Sequence, residues 1–140
     1  MKRNSLILLL ALLCFTLSSC QKEASGLIKG RWQLDIEKSF HQDITNSGTI
    51  THTMQDLGVI EGSLEIEDDV FARWIFVSKG TNGSDQSLMY RVDDNIHELY
   101  LYNLNGGYVP YVIIRLDSHS LIFESYTDNK ACIFHYEYSR

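Results

Sequence analysis

Basic residues are scarce, proline is nearly absent and cysteines are few, and each shortage removes a class of protein. The 140-residue chain has 12 Lys and Arg against 18 Asp and Glu, a formal charge of −6. A surface of that sign repels phosphate backbones and anionic headgroups, which excludes nucleic acid as a partner. Three cysteines, Cys14, Cys20 and Cys132, are too few for a disulfide framework, so stability must come from a buried core. No apolar run is long enough to cross a bilayer as a helix. The five histidines, at 41, 52, 97, 119 and 135, form no H-x-x-x-H or H-E-x-x-H pattern. With no nucleophile or acid–base pair in view, the expectation is a protein that is not an enzyme and uses no cofactor or metal.

What is present at the N-terminus is a secretory pattern. Lys2 and Arg3 precede the apolar run Leu6 to Leu13, and Leu17-Ser18-Ser19-Cys20 follows. That tetrapeptide resembles a bacterial lipobox, in which small residues admit the peptidase and the thiol receives a diacylglyceryl group. The implied organisation is a signal peptide over 1–19, a lipidated Cys20 with a polar tether over 20–26, and a globular domain over 27–140. Several acyl chains on one cysteine anchor a protein almost permanently. Gln21 in place of aspartate favours, by resemblance to lipoprotein sorting rules, the outer membrane of a bacterial envelope over the inner one; the side is left open. Cleavage removes Lys2 and Arg3, which reduces the 12 basic residues to 10 and makes the charge −8. Cys14 departs with the signal, leaving Cys132 as the free thiol.

From Ser25 onward the apolar pattern has period 2. Eight strand-like segments follow, at 28–37, 58–67, 70–79, 87–93, 96–103, 109–117, 120–127 and 130–139. Ile60, Gly62, Leu64 and Ile66 share one expected face, as do Ala72, Trp74 and Phe76, and Cys132, Phe134, Tyr136 and Tyr138. One wet and one buried face suit an antiparallel sheet closed on itself. Tight turns at Asp68-Asp69, Asp93-Asp94-Asn95 and Asp117-Ser118 alternate with longer loops at 38–57, 80–86 and 104–108. In an up-and-down barrel the short turns then close one end and the loops ring the other.

Gly30-Arg31-Trp32 opens the first strand, a long loop follows it, and Arg140 ends the last strand. This resembles the lipocalin-like (calycin-type) lipoproteins, with their eight-stranded antiparallel up-and-down barrel. The resemblance implies that Arg140 packs over Trp32 and closes the base. The base should lie nearest the membrane, with the mouth facing away.

Two binding modes suit such a barrel. In the first, Trp74, Phe76, Tyr90, Phe123, Phe134 and Tyr136 line an interior site for a small apolar or amphipathic ligand. In the second, the barrel is filled, and Tyr100, Tyr102, Tyr108 and Tyr111 engage an envelope protein or glycan, as an accessory or inhibitor would. His41, Asp43 and His52 could meet at a metal, but a flexible loop supplies the necessary supporting contacts poorly. Cys132 and His135 have opposite strand parity, so Cys132 reads as a small buried apolar residue. Glu65, Glu67, Asp68 and Asp69 lack the spacing of a calcium loop. Cys20→Ser is expected to move the protein from the membrane to the soluble fraction, and an unchanged distribution would remove the anchor.

Overall fold

Alternation along the chain is strong enough to build nearly all of it into strands. The computed structural model describes residues 24–80, 83–94, 97–102, 107–127 and 129–140. The signal segment and Cys20 lie outside the described residues. A single helical turn, α1 (Ala24–Leu27), precedes ten strands: β1 (Gly30–Leu34), β2 (Phe40–Thr45), β3 (Gly48–Thr53), β4 (Val59–Ile66), β5 (Phe71–Ser78), β6 (Ser84–Asp93), β7 (Glu98–Tyr102), β8 (Tyr108–Leu116), β9 (Ser120–Tyr126) and β10 (Cys132–Ser139).

Eight of these, β1 and β4 to β10, form a closed antiparallel barrel, sealed by the pairing of Gln33 and Leu34 with Ser139 and Tyr138. All eight coincide with segments expected from the alternation. The hairpin β2–β3 is additional and occupies what reads as the loop 38–57. Its strands carry Thr, His, Gln and Asp on faces that are both partly wet, so no apolar stripe betrays them.

The hairpin grows from the barrel because β10 has two partners along one edge. Its second half pairs with β1, and its first half pairs with β2. Between them the chain makes a turn at Asp35–Ser39, closed by Ser39 N donating to Asp35 O at 2.9 Å. Ser39 is fully buried, and its Oγ donates to Glu137 O at 3.3 Å and accepts from Glu137 N at 2.8 Å. The hydroxyl thus satisfies the Glu137 amide where the neighbouring strand turns away, and Asp35 N donates to the Glu137 carbonyl at 2.8 Å.

The short turns gather at one end, with α1 and Arg140. The hairpin and the strand ends at Ser78, Ser84, Tyr102, Tyr108, Tyr126 and Cys132 gather at the other. At the base, Trp32 is fully buried and its Nε1 donates to Ile28 O at 2.7 Å. The Arg140 guanidinium lies 3.9 Å over the Trp32 ring. Its Nη2 donates to Leu27 O at 2.9 Å and its Nε to Ser118 O at 2.9 Å, while Nη1 reaches Lys29 O. A β-carbon on Gly30, whose φ is +125°, would meet Arg140 Nη1 at 2.7 Å. The first strand therefore starts on glycine for reasons of both backbone and space. Ala24 N also donates to Asp94 Oδ1 at 3.0 Å, so the segment expected as tether is already folded onto the base from Ala24.

One face assignment differs. A bulge between Val59 and Glu61 shifts the register, so Val59 is buried and Ile60 is exposed. Arg140→Ala should lower stability by about 2 kcal/mol, the sum of a cation–π contact and lost charged hydrogen bonds. Arg140→Lys should recover only part, because a point charge cannot make the fork. An unchanged melting temperature in Arg140→Ala would show that the base does not need the contact.

Candidate binding site at the mouth of the barrel

Inward-facing aromatics from β5, β8, β9 and β10 meet in the middle of the barrel. The Trp74 ring lies 5.3 Å from Phe76, 5.8 Å from Tyr111, 6.2 Å from Phe123 and 5.3 Å from Tyr136. Phe123 also touches Tyr111 at 5.1 Å edge-on and stacks on Tyr138 at 5.6 Å. The Trp74 Nε1 donates to the Tyr138 hydroxyl at 2.6 Å, within the core. These rings contact one another, so they form a floor across the barrel.

The six interior candidates therefore separate. Trp74, Phe123 and Tyr136 belong to the floor, with Phe123 fully buried beneath its surface. Phe76 and Phe134 are half-buried and stand on the mouth side. Tyr90 is apart from them, because its hydroxyl donates to Asp68 O in a base turn. Gln86 and Ser84 pair in register with Trp74 and Phe76 and are exposed, which gives the mouth a polar wall.

The four outer tyrosines also separate. Tyr100, Tyr102 and Tyr108 form a cluster with ring centroids 5.5–6.4 Å apart, and Arg91 lies 4.6 Å over Tyr100. Tyr111 does not join them. Its parity is opposite to that of Tyr108, and it is buried in the floor, 6% exposed. A register row Phe71, Met89, Tyr102 and Tyr108 crosses four strands on the outer wall. An open groove of about 720 Å³ lies elsewhere, outside the base, lined by Ala24, Leu27, His97, Ile113 and Leu116 among others.

At the rim, the hairpin brings together residues that the sequence keeps far apart. Cys132 pairs with Asp43, and Phe134 with His41, so all four share the inner face. The His41 ring stacks on Phe134 at 4.4 Å and 7°. Its Nε2 lies 2.8 Å from Cys132 Sγ and 3.5 Å from Asp43 Oδ1. Burial and the Asp43 carboxylate push the Cys132 thiol above its ordinary value. Cys132 is half-buried, so its reading as a buried apolar residue gives way to a polar corner. His135 points to the outer face, as its parity requires, and binds Glu124 at 2.6 Å and Glu137 at 3.2 Å. His52 pairs with His41 across β2–β3. Sequence reasoning missed the Cys132–His41 pair because 91 residues separate the partners and only the hairpin register joins them.

No helix among the described residues is long and apolar enough to cross a membrane. Burial pushes the Tyr136 hydroxyl up to about 12 and raises Tyr111 and Tyr138 further. A group raised in the fold favours the protonated native state. Its contribution is complete below the ordinary tyrosine value near 10 and is lost as pH climbs toward the folded value. The melting temperature should therefore fall steadily above pH 10, with tyrosinate absorbance from these three rings appearing only on unfolding. Their ionisation in the intact fold near pH 10 would mean that the floor is open to water. Comparison with family models, with curated proteins and with solved structures returns no match for this chain.

Proposed function

We propose that the protein is a non-catalytic binding module, anchored in the bacterial envelope by lipid on Cys20, with a lipocalin-like barrel that holds a small apolar or amphipathic ligand at its mouth. The observation that carries this reading is the pair of half-buried rings, Phe76 and Phe134, on the mouth side of the aromatic floor. A ligand seats on Trp74 and Tyr136 rather than passing down to Trp32, because the rings below are in mutual contact. Apolar area supplies the affinity, and Gln86 and Ser84 offer polar groups to orient one end of the ligand. The location of α1 at the base supports an arrangement in which the lipid lies below the barrel and the mouth faces away.

A second reading rests on the exposed row Phe71, Met89 and Tyr108, which are 50%, 44% and 58% exposed. Apolar patches of this kind suit a protein or glycan partner. That mode needs no small ligand, so one experiment separates the two. Native mass spectrometry of the domain produced without residues 1–20 should show a co-purifying mass. Titration of the same protein with anilinonaphthalene sulfonate should saturate, with energy transfer from Trp74. Phe76→Ala and Phe134→Ala should each weaken the dye roughly 10-fold, from lost burial of one ring. No bound mass and no saturable dye site would overturn the small-ligand reading.

A further inference from the structure

The corner made by His41, Asp43 and Cys132 is distinct from the aromatic floor and has its own chemistry. We propose that it is a site for a divalent transition-metal ion of zinc type, held by His41 Nε2, Asp43 Oδ1 and Cys132 Sγ.

The three donors converge on one point. Cys132 Sγ and Asp43 Oδ1 approach the same ring nitrogen, at 2.8 Å and 3.5 Å, and the three ligand atoms all lie within 4.8 Å of one another. A Cys–His–Asp nucleophile relay needs the carboxylate on the opposite imidazole nitrogen, where it would orient the base. Here both partners crowd Nε2, which is wrong for a relay and right for three donors around one cation. Tetrahedral zinc, with bonds of about 2.0–2.3 Å, sets its donor atoms about 3.4–3.6 Å apart. The His41–Asp43 spacing already matches, and the His41–Cys132 spacing has to open by less than ~1 Å to fit the same geometry.

The donors are also rigidly placed. All three donors sit on paired strands rather than on a loop. Cys132 and Asp43 are direct register partners, and His41 lies two residues from Asp43 on the same face. The Cys132 backbone is held twice by Thr127: its N–H donates to Thr127 Oγ1 at 3.0 Å, and its carbonyl accepts from Thr127 N at 3.1 Å. Ile44 N donates to Ala131 O at 2.7 Å, which continues the clamp beyond Asp43. Stacking on Phe134 fixes the plane of the His41 ring. Such supporting contacts are what separates a metal site from a chance cluster.

The corner is open to solvent. The side chains of His41 and Asp43 are 25% and 48% exposed, so an ion can enter from the mouth. Three protein donors leave a fourth position for water or a ligand atom. The mixed thiolate, imidazole and carboxylate set favours zinc over calcium or magnesium, which take oxygen donors. On binding, the Cys132 S–H bond breaks, its proton passes to solvent, and a metal–sulfur bond forms.

The test uses the full chain in mild detergent, with Cys14→Ser and Cys20→Ser so that Cys132 is the remaining thiol. Titration with zinc chloride should give one ion per chain and raise the melting temperature. Cobalt(II) should produce a thiolate-to-metal charge-transfer band. Cys132→Ser should remove that band, and His41→Ala and Asp43→Asn should each weaken zinc by roughly 10–100-fold or more. His135→Ala, on the opposite face, should leave zinc affinity unchanged while circular dichroism reports that each variant is folded. The absence of saturable zinc binding in the parent protein would overturn the proposal. So would a cobalt band that persists in Cys132→Ser, or an equal loss in His135→Ala. If Cys132→Ser does not fold, Asp43→Asn decides in the same way: undiminished zinc affinity there removes the site. Dye saturation of the parent protein is read separately from its zinc affinity, so failure of one reading is distinguishable from failure of the other.

Discussion

Along one edge, β10 hydrogen-bonds first to β2 and then to β1, and this change of partner depends on the buried hydroxyl of Ser39. Without it, the amide of Glu137 would face a departing strand inside the protein, although the Glu137 carbonyl keeps its bond from Asp35 N at 2.8 Å. An unmet buried polar group costs about 1–3 kcal/mol, enough to discourage the split. With it, one strand can close the barrel at the base and carry a hairpin at the mouth. The two ends of the molecule then acquire different characters from a single local solution. At the base, the chain is sealed by Trp32, Ile28 and Arg140, all tied through backbone carbonyls. At the mouth, the hairpin extends the wall and presents His41 and Asp43 beside Cys132.

The filling of the barrel sets where recognition can occur. An eight-stranded barrel is at the size where side chains either fill the interior or leave room for one small ligand. Here Trp74, Tyr111, Phe123, Tyr136 and Tyr138 take up the middle, and Trp74 and Tyr138 satisfy each other's buried polar groups. Each ring restrains its neighbours, which gives the floor stiffness and a defined upper surface. Binding on that surface therefore needs little reorganisation, and the half-buried rings above it lose exposed area directly. The outer tyrosines have a different energetic role. Tyr100 stacks beneath Arg91 and binds Glu98, so part of that cluster stabilises the sheet itself.

Most of the barrel strands were legible because they bury one face, which period 2 marks; the segments at 96–103 and 109–117 are apolar on both faces, so they were legible as strands but their sidedness was not. The hairpin was not, because neither face of β3 is buried and threonine carries no apolar signal. Parity arguments were only as good as the regularity of the strand. They place Trp74, Phe76 and Tyr136 inward, and they fail at Ile60, where the bulge inserts a residue. Tyr111 was misplaced for a different reason: grouping tyrosines by proximity in sequence ignored that Tyr108 and Tyr111 must point to opposite faces. The rim corner was legible only in part: His41 and Asp43 stood out with His52 as a possible metal set, but Cys132 joins them only through the β2–β10 register. His41 and Asp43 looked like loop residues, and Cys132 had no partner near it in sequence.

The rim corner also has a mechanical meaning that follows from its ligands' positions. Two donors lie on β2 and one on β10, so an ion there would cross-link the hairpin to the barrel wall. The β2–β10 pairing is short, from Phe40 to Asp43, and the hairpin's other edge has no strand partner among the described residues. A bond across that junction would resist peeling where the sheet is least supported. The hairpin stands over Phe134, so holding it down would also fix one side of the mouth. Metal at the corner and ligand on the floor would then be coupled through the position of β2, by contact rather than by long-range transmission.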